Sequence, residues 1–216
     1  MTRILSRLFV LFGLLTTGCH SPRLSTVYEP GSIIPVHYNK IMVIGINKKG
    51  NDTLRAQLEQ QLVNQLRAIG YTAISSFREF GRDGLRGLGE INTYQKLCYN
   101  GIDAVLTVSL IDQSNKAYKH SALNKKHPGA YYYDRIWNYR KIQDEGGSGS
   151  IPRFVWESIL FDLGSLKPLC VMQTAGYTNA DINKDINELP QWIIARMLRE
   201  KIIRKQEPLA VSPKAF

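Results

Sequence analysis

The sequence predicts an α/β fold, namely a single domain whose mixed five-stranded sheet follows the order β-α-β-α-β-β-β-α and is packed by three helices. The run "KIMVIGI" (40–46) is short, apolar and β-branched, which is typical of a strand buried on both faces. A helix follows it, because apolar side chains recur at steps of three or four residues, at Leu54, Leu58, Leu62, Leu66 and Ile69.

The next elements continue the alternation of strand and helix. Gly70 suits the left-handed position that ends the first helix, and "YTAISSF" (71–77) predicts the second strand. The glycine-rich stretch 78–90 predicts a loop, "INTYQKLCYNG" (91–101) a short helix, and "IDAVLTVSLID" (102–112) the third strand. Strands joined through helices by short connections are parallel, so these three strands form a parallel core.

The second half of the domain predicts a hairpin and a final helix. "PRFVWESILFDL" (152–163) and "PLCVMQTAGYTN" (168–179) are strand-like runs separated by the turn "GSLK". Residues 186–203 predict the last helix, with Pro190 in its first turn, where the missing N–H costs nothing. The inner face of this helix is predicted at Ile186, Leu189, Ile193, Met197 and Ile202.

Residues 1–18 have the features of a signal peptide. Arg3 and Arg7 precede an apolar run (8–15) that is far shorter than the ~20 residues needed to span a bilayer. Small residues then lead to Cys19, and this arrangement resembles the lipobox of bacterial lipoproteins. The resemblance implies cleavage before Cys19 and a diacylglycerol on its sulfur. An ordinary secretory signal with an incidental cysteine is the alternative.

The remaining chain divides into a tether, a domain and a tail. Residues 19–39 contain three prolines and predict a tether, which at ~3.3 Å per residue spans at most about 65 Å. Residues 40–205 predict the α/β domain, with residues 113–151 as a basic and aromatic insertion, and residues 206–216 predict a disordered tail.

The insertion is the candidate partner-binding surface. The chain has a formal net charge of +10, which favours acidic partners. Rings beside cations would suit single-stranded nucleic acid in the cytoplasm, but outside it they suit an envelope protein or an anionic glycan or lipid, so we expect no nucleic-acid partner. Packing of the same rings on the sheet is the alternative. The candidate residues are Tyr131, Tyr132, Tyr133, Arg135, Trp137, Tyr139, Arg140 and Lys141.

No catalytic or metal-binding pattern accompanies this surface. His120 and His127 have no ligand at metal-binding spacing, so neither a metal nor another cofactor is predicted. Glu157 and Asp162 lie an odd number of residues apart on one strand, hence on opposite faces, and Asp103 opens another strand. The sequence therefore predicts a protein that is not an enzyme. A hydrolase of envelope glycan or peptide, with a site assembled from dispersed residues, is the alternative.

Two further cysteines leave one covalent question open. Cys98 falls on a predicted helix and Cys170 at the start of a predicted strand. An exported protein would permit a disulfide between them, whereas burial as small hydrophobic side chains is the commoner outcome.

The element order behind a lipobox resembles a group of Gram-negative envelope lipoproteins, largely of unknown function, whose domain is similar to the N-terminal domain of TolB and to LpoB. "KIMVIGI", "TLRAQLEQQLVNQLRAIGYTAI", "GIDAVLTVSL" and "VWESILFDL" carry this resemblance. It implies a lipid-anchored outer-membrane protein that faces the periplasm and acts as a binding or accessory module, or as a structural subunit of an envelope assembly. His20, rather than an aspartate, follows the cysteine, and this resembles lipoproteins that enterobacteria sort to the outer membrane.

Overall fold

A six-stranded sheet forms the centre of the computed structural model, which describes residues 25–28, 37–46, 52–85, 88–112, 154–174 and 182–206. The strands, in sequence order, are β1 Ser25–Tyr28, β2 Lys40–Ile46, β3 Thr72–Ser75, β4 Ala104–Asp112, β5 Phe154–Asp162 and β6 Lys167–Gln173. The helices are α1 Asp52–Ala68, α2 Ser76–Phe80, α3 Glu90–Tyr99 and α4 Ile182–Arg199.

The predicted α/β class with its mixed sheet is confirmed. The strand order is β1-β6-β5-β4-β2-β3, in which β2 is parallel to both β3 and β4, while β5 and β6 pair antiparallel as a hairpin. The structure adds the strand β1, which lies inside the segment predicted to be a tether and pairs antiparallel with β6. Without β1, the outer edge of β6 would present unpaired backbone groups.

Two helical predictions need correction. Residues 76–80, predicted as the end of a strand and the start of a loop, form α2, because the Ser75 hydroxyl accepts a hydrogen bond from the Arg78 N–H and caps the helix. The last helix begins at Ile182 instead of residue 186, so Pro190 lies inside it. That helix also ends earlier than predicted, at Arg199, and Lys201 follows in the left-handed region with φ 58°.

Helices cover the sheet on both sides. On one side, here named the α1/α4 face, the two long helices bury Ile41, Val43, Leu106, Leu160 and Met172. On the other, named the α3 face, Leu97 of α3 and Leu85 pack with Met42, Ile44, Val105, Ile159 and Val171. The centre of the predicted inner face of α1 is confirmed, because Leu58, Leu62 and Leu66 are buried, whereas Leu54 and Ile69 at its two ends are only partly buried. All five residues predicted on the inner face of the last helix are buried, although Ile202 lies beyond the end of α4.

The last described residues close the domain against the end of α1. Gly70 has φ 97°, and a Cβ at this position would lie 2.6 Å from the carbonyl oxygen of Gln206. The Gln206 N–H donates to the Ile69 carbonyl (2.9 Å), and its side-chain amide donates to the Tyr38 carbonyl (3.1 Å). Gly70 is therefore required both for its left-handed backbone and for this close approach.

Candidate functional site

One edge of the sheet brings together strand ends at the position where α/β proteins usually bind ligands. We name it the carboxyl edge, because β2, β3 and β4 end there. Since β5 and β6 alternate in direction, β5 begins and β6 ends at the same edge, and Ser25 at the start of β1 pairs with Gln173 there. Ligands of open α/β sheets bind outside the carboxyl ends of parallel strands.

Both ends of the basic and aromatic insertion also lie at the carboxyl edge. Asp112, the last residue of β4, is the cross-strand partner of Phe154, the first residue of β5. Cross-strand partners have Cα atoms roughly 5 Å apart. Residues 113–153 therefore leave and re-enter the sheet at one point, and the segment that precedes β1 joins the sheet along the same edge.

A buried carboxylate lies beside the carboxyl ends of β2 and β3. Glu59 of α1 is fully buried, and its Oε1 accepts hydrogen bonds from the Gly45 N–H (2.8 Å), the Arg55 Nε–H (2.9 Å) and the Ser76 hydroxyl (2.9 Å). Its Oε2 accepts from the Ser75 hydroxyl (2.6 Å) and the Phe77 N–H (2.8 Å). One side chain thus ties α1 to β2, β3 and α2.

Arg55 completes this cluster one helical turn before Glu59. Its Nη1 donates to the Arg82 carbonyl (3.1 Å) and its Nη2 to the Ser76 hydroxyl (3.0 Å), while the guanidinium lies 5.3 Å from the centre of the Phe77 ring. A Cβ at Gly45 would lie 3.1 Å from Cγ of Arg55 and 3.3 Å from Cγ of Glu59. Glycine therefore lets α1 approach β2 closely enough for the backbone N–H to reach the carboxylate.

The arrangement indicates a structural role for the Arg55–Glu59 pair. Five donors occupy the two carboxylate oxygens, and a substrate would have to displace several of them to reach Glu59. This pair was not predicted from the sequence. Its only sequence signal is the i, i+4 spacing of Arg and Glu, and that spacing is also common on exposed helix surfaces.

The carboxylates weighed for catalysis are not brought together. The strand register places Glu157 on the α3 face and Asp162 on the α1/α4 face, as predicted. Glu157 accepts from the Gln173 amide (2.6 Å), and Asp162 accepts from the Ser165 N–H (2.8 Å) in the hairpin turn.

Asp103 lies at the edge of the sheet opposite the carboxyl edge, where it has a structural role. Its carboxylate accepts from the backbone N–H groups of Asn39 (2.7 Å) and Lys40 (3.0 Å), so it joins the entry to β4 to the start of β2. Each of these three acids therefore has a partner within the fold.

Tyr38 is the described residue with the most strongly perturbed titration. Burial, followed by the negative charges of Asp162 and Asp103, raises the pKa of its hydroxyl above the ordinary value of 10.0. That hydroxyl, Trp156 Nε1 and Ser158 Oγ are buried without a hydrogen-bond partner. Tyr38 and Trp156 belong to the core of the α1/α4 face, and the strand register places Ser158 on the same face.

Cys98 and Cys170 are not joined by a disulfide, so that alternative is wrong. Cys170 is buried in the core of the α1/α4 face, whereas Cys98 is exposed on α3, which packs on the other side of the sheet. The sheet separates the two sulfurs, and a bridge would require the backbone to rearrange.

The remaining predicted site residues lie outside the described residues. These are Cys19, the two loop histidines and the eight residues of the candidate partner-binding surface in the insertion. In the part of the chain that the structure describes, no cluster of three or more metal-ligating side chains occurs. No helix in that part is long and apolar enough to cross a membrane.

The similarity of this chain to known proteins is low. No family model matches the chain, and no curated protein matches it either. A PelC dodecamer from Paraburkholderia phytofirmans has 11% identity and a TM-score of 0.42, covering 85% of this chain and 99% of that one.

Two further solved structures have similar scores. Lipoprotein GNA1162 from Neisseria meningitidis has 13% identity and a TM-score of 0.36, covering 74% of this chain and 99% of that one. TolB from Acinetobacter baumannii has 12% identity and a TM-score of 0.35, with 82% of this chain and 31% of that one covered. Likenesses at this level carry no conclusion about activity.

Proposed function

We propose that the protein is a lipid-anchored component of the bacterial cell envelope, held at the outer membrane and facing the periplasm, which acts as a binding or accessory module without catalysis. The observation that carries the proposal is the sequence that leads to Cys19, in which two arginines, a short apolar run and small residues precede the cysteine. Cleavage before Cys19 would leave a new N-terminal amine on this residue. Acylation of that amine in addition to the diacylglycerol would make the anchoring stable, since a single lipid chain gives only marginal membrane binding.

The topology of the sheet supports a link between the anchor and the insertion. The chain enters β1 at the carboxyl edge, six residues after Cys19, and the insertion begins and ends at that edge. An envelope protein, or an anionic glycan or lipid close to the membrane, would therefore meet the rings and cations of the insertion. The absence of a nucleic-acid partner is part of this proposal, because the anchor would keep the domain outside the cytoplasm.

Metabolic labelling with a fatty-acid analogue tests the anchor. We expect label on the wild-type protein, recovery in the outer-membrane fraction, and a mature chain that begins at Cys19. Cys19→Ala should lose both the label and the membrane recovery. An intact chain that begins at Met1 and carries no acyl mass would disprove the proposal.

Crosslinking in cells tests the partner-binding surface. The matched pair is wild type against a variant that combines Tyr132→Ala, Trp137→Ala and Arg140→Ala. We expect the variant to lose the main crosslinked partner while its lipidation and membrane recovery stay unchanged. An unchanged partner profile would exclude the insertion as the binding surface and leave the anchor in place.

A further inference from the structure

Cations gather at one corner of the domain, where the last helix ends. Residues 196–205 contain five basic residues and one acidic residue, whereas the remaining described residues contain eight basic and eleven acidic ones. The part of the chain that the structure describes is therefore nearly neutral as a whole, and its positive charge is concentrated in these ten residues. We name the exposed cations of this segment, together with one from α1, the cationic corner. They are Arg67, Arg199, Lys201, Arg204 and Lys205.

The cationic corner lies at the edge of the sheet opposite the carboxyl edge. The Gln206 N–H donates to the Ile69 carbonyl (2.9 Å), which brings the last described residues beside the end of α1, where Arg67 is exposed. The Arg204 N–H donates to the hydroxyl of Tyr71 (3.4 Å), directly before β3. The corner therefore combines the ends of α1 and α4 beside the start of β3.

The helix dipole explains only part of this charge. Arg196 and Arg199 lie in the last turn of α4, where cations offset the partial negative charge of the final carbonyl groups, and both arginines pair with Glu200 (3.1 and 3.5 Å). The effect falls off within the last turn, so it does not account for the exposed cations that follow the helix. These cations form no ion pair with any other described residue. They are Lys201, Arg204 and Lys205.

The backbone that carries these cations is held by the fold. Ile202 and Ile203 are buried in the core of the α1/α4 face, and Lys201 before them is fixed in the left-handed region with φ 58°. The hydrogen bonds of Arg204 and Gln206 hold the residues that follow. Binding of an anion needs no further ordering of this backbone, so the corner is preorganised for it.

The composition of the corner favours a polymer over a folded protein as its partner. Protein interfaces are centred on apolar and aromatic side chains that become buried. Within the described ranges, the large hydrophobic side chains that are exposed lie elsewhere, three on α3 and Leu166 in the hairpin turn. A hydrated polyanion needs only the cations that the corner supplies.

The tether separates the corner from the bilayer. Ser25 begins β1 at the carboxyl edge, whereas the corner lies beside β3, which is at the other end of the strand order. The seven residues of β6 span roughly 20 Å and the five strand spacings from β1 to β3 about 24 Å, so the two points are about 30 Å apart across the diagonal of the sheet. The six residues from Cys19 to Ser25 span at most about 20 Å. An upright domain therefore presents the corner to the compartment instead of to its own bilayer.

We infer that the cationic corner binds the carboxylate-bearing polymer of the cell wall, an inference that rests on the proposed lipid anchor. Guanidinium and ammonium groups form charge-assisted hydrogen bonds with carboxylates. The domain then bridges the membrane and the wall, with the anchor at one end and the corner at the other. This contact is separate from the insertion, both of whose ends lie at the carboxyl edge.

The experiment sediments purified cell-wall sacculi with the full-length lipidated protein in a non-ionic detergent and measures the bound fraction over a range of sacculus concentrations. Wild type should bind at low salt and dissociate as the ionic strength rises, because exposed charges are screened. Conversion of the sacculus carboxylates to amides should abolish the binding. The intact mass of the same protein shows whether it carries the lipid.

Two matched variants each remove one arginine and one lysine from exposed positions. Arg204→Gln with Lys205→Gln changes the corner, whereas Arg78→Gln with Lys167→Gln changes α2 and the start of β6. The corner variant should bind about tenfold more weakly, and the control variant should bind as wild type does. Equal unfolding midpoints exclude misfolding as the cause of a difference.

The outcomes separate this inference from the proposed function. Equal weakening in the two variants, or full binding to amidated sacculi, overturns the inference because net charge or another contact then explains the binding. A corner variant that loses binding to phosphatidylglycerol vesicles and keeps binding to sacculi also overturns it, since the corner is then a membrane contact. Lipidated protein that does not bind sacculi overturns the corner and leaves the anchor standing, whereas protein without acyl mass overturns the proposed function.

Discussion

The two faces of the sheet are covered by helices of very different length. The α1/α4 face lies under helices of 17 and 18 residues that also pack against each other, and its carboxyl end is closed by the Arg55–Glu59 cluster. The α3 face lies under a helix of ten residues with apolar side chains on both its inner and its outer side. Among the described residues, the first face holds the larger of the two buried apolar clusters, so we expect it to contribute more to the stability of the domain.

The largest expected effect comes from breaking the cluster on the α1/α4 face. Glu59→Ala removes the acceptor of five hydrogen bonds and leaves Arg55 buried without its counter-charge, so we expect a loss of about 3–5 kcal/mol in the free energy of unfolding. Chemical denaturation measures this loss. Gln60→Ala, at the next position of the same helix, removes two exposed hydrogen bonds, one accepted from Arg78 and one donated to Asn64, and should cost under about 0.5 kcal/mol. Equal costs for the two variants would contradict a structural role for Glu59.

The comparison of the faces is sharpened by truncating one fully buried leucine on each side. Leu62→Ala opens a cavity between α1, α4 and the sheet, and we expect a loss near 4 kcal/mol, about the upper part of the usual range. Leu97→Ala should cost only about 2–3 kcal/mol, because α3 has solvent behind it and can move inward. Denaturant titrations of both variants decide the order, and a larger cost at Leu97 would contradict the distinction between the faces.

A smaller effect is expected where α1 approaches β2. In Gly45→Ala the new methyl group lies 3.1 Å from Cγ of Arg55, so α1 must shift outward by a few tenths of an ångström. Overpacking of this kind costs about 1–2 kcal/mol. The matched control is Gly164→Ala, where a Cβ would make only ordinary contacts, 3.7 Å from the carboxylate oxygens of Asp162, and its unfolding midpoint should stay close to that of the wild type. A neutral Gly45→Ala would mean that the cluster tolerates displacement of α1.

The smallest effect at neutral pH is expected at Tyr38. Its hydroxyl is buried without a partner, so Tyr38→Phe should leave the free energy of unfolding unchanged or raise it by up to about 1 kcal/mol. The folded-state pKa of Tyr38 is raised, so its contribution is fully present below the unfolded pKa of 10.0 and is lost as the pH rises above that value. Denaturation between pH 9 and 11 should therefore show a shallower alkaline decline in Tyr38→Phe than in wild type. An identical alkaline decline in the two proteins would contradict the raised pKa of Tyr38.

The apolar framework of this fold was predictable from periodicity. Leu58, Leu62 and Leu66 repeat at helical spacing, and the uninterrupted run 40–46 is the strand β2, so burial follows directly from pattern. The Arg55–Glu59 cluster was not predictable, because it depends on a backbone N–H from β2 and hydroxyls from residues 75 and 76, brought together only by the fold. Charged residues in a helix are usually exposed, so the burial of this pair was not expected from the sequence.

The remaining differences concern β1, α2 and the start of α4. The strand β1 carries no strong periodic signal, and it forms because β6 offers an unpaired edge. The helix α2 depends on Glu59 accepting the Phe77 N–H, a contact between distant parts of the sequence. Proline is frequent in the first turn of helices, so Pro190 predicted that the last helix begins near it. The helix α4 nevertheless begins two turns earlier. For β1 and α2, a contact with a distant part of the sequence outweighed the local preference.

For the lipid anchor proposed above, the position of β1 also sets the volume in which the domain would search for a partner. The segment 19–39 would span about 65 Å as a free chain, whereas only six residues separate Cys19 from Ser25, which is about 20 Å when fully extended. Because accessible volume grows with the cube of this length, docking of β1 on β6 concentrates the domain at the bilayer roughly thirtyfold. Molecules deeper in the compartment would have to come to the membrane to be bound.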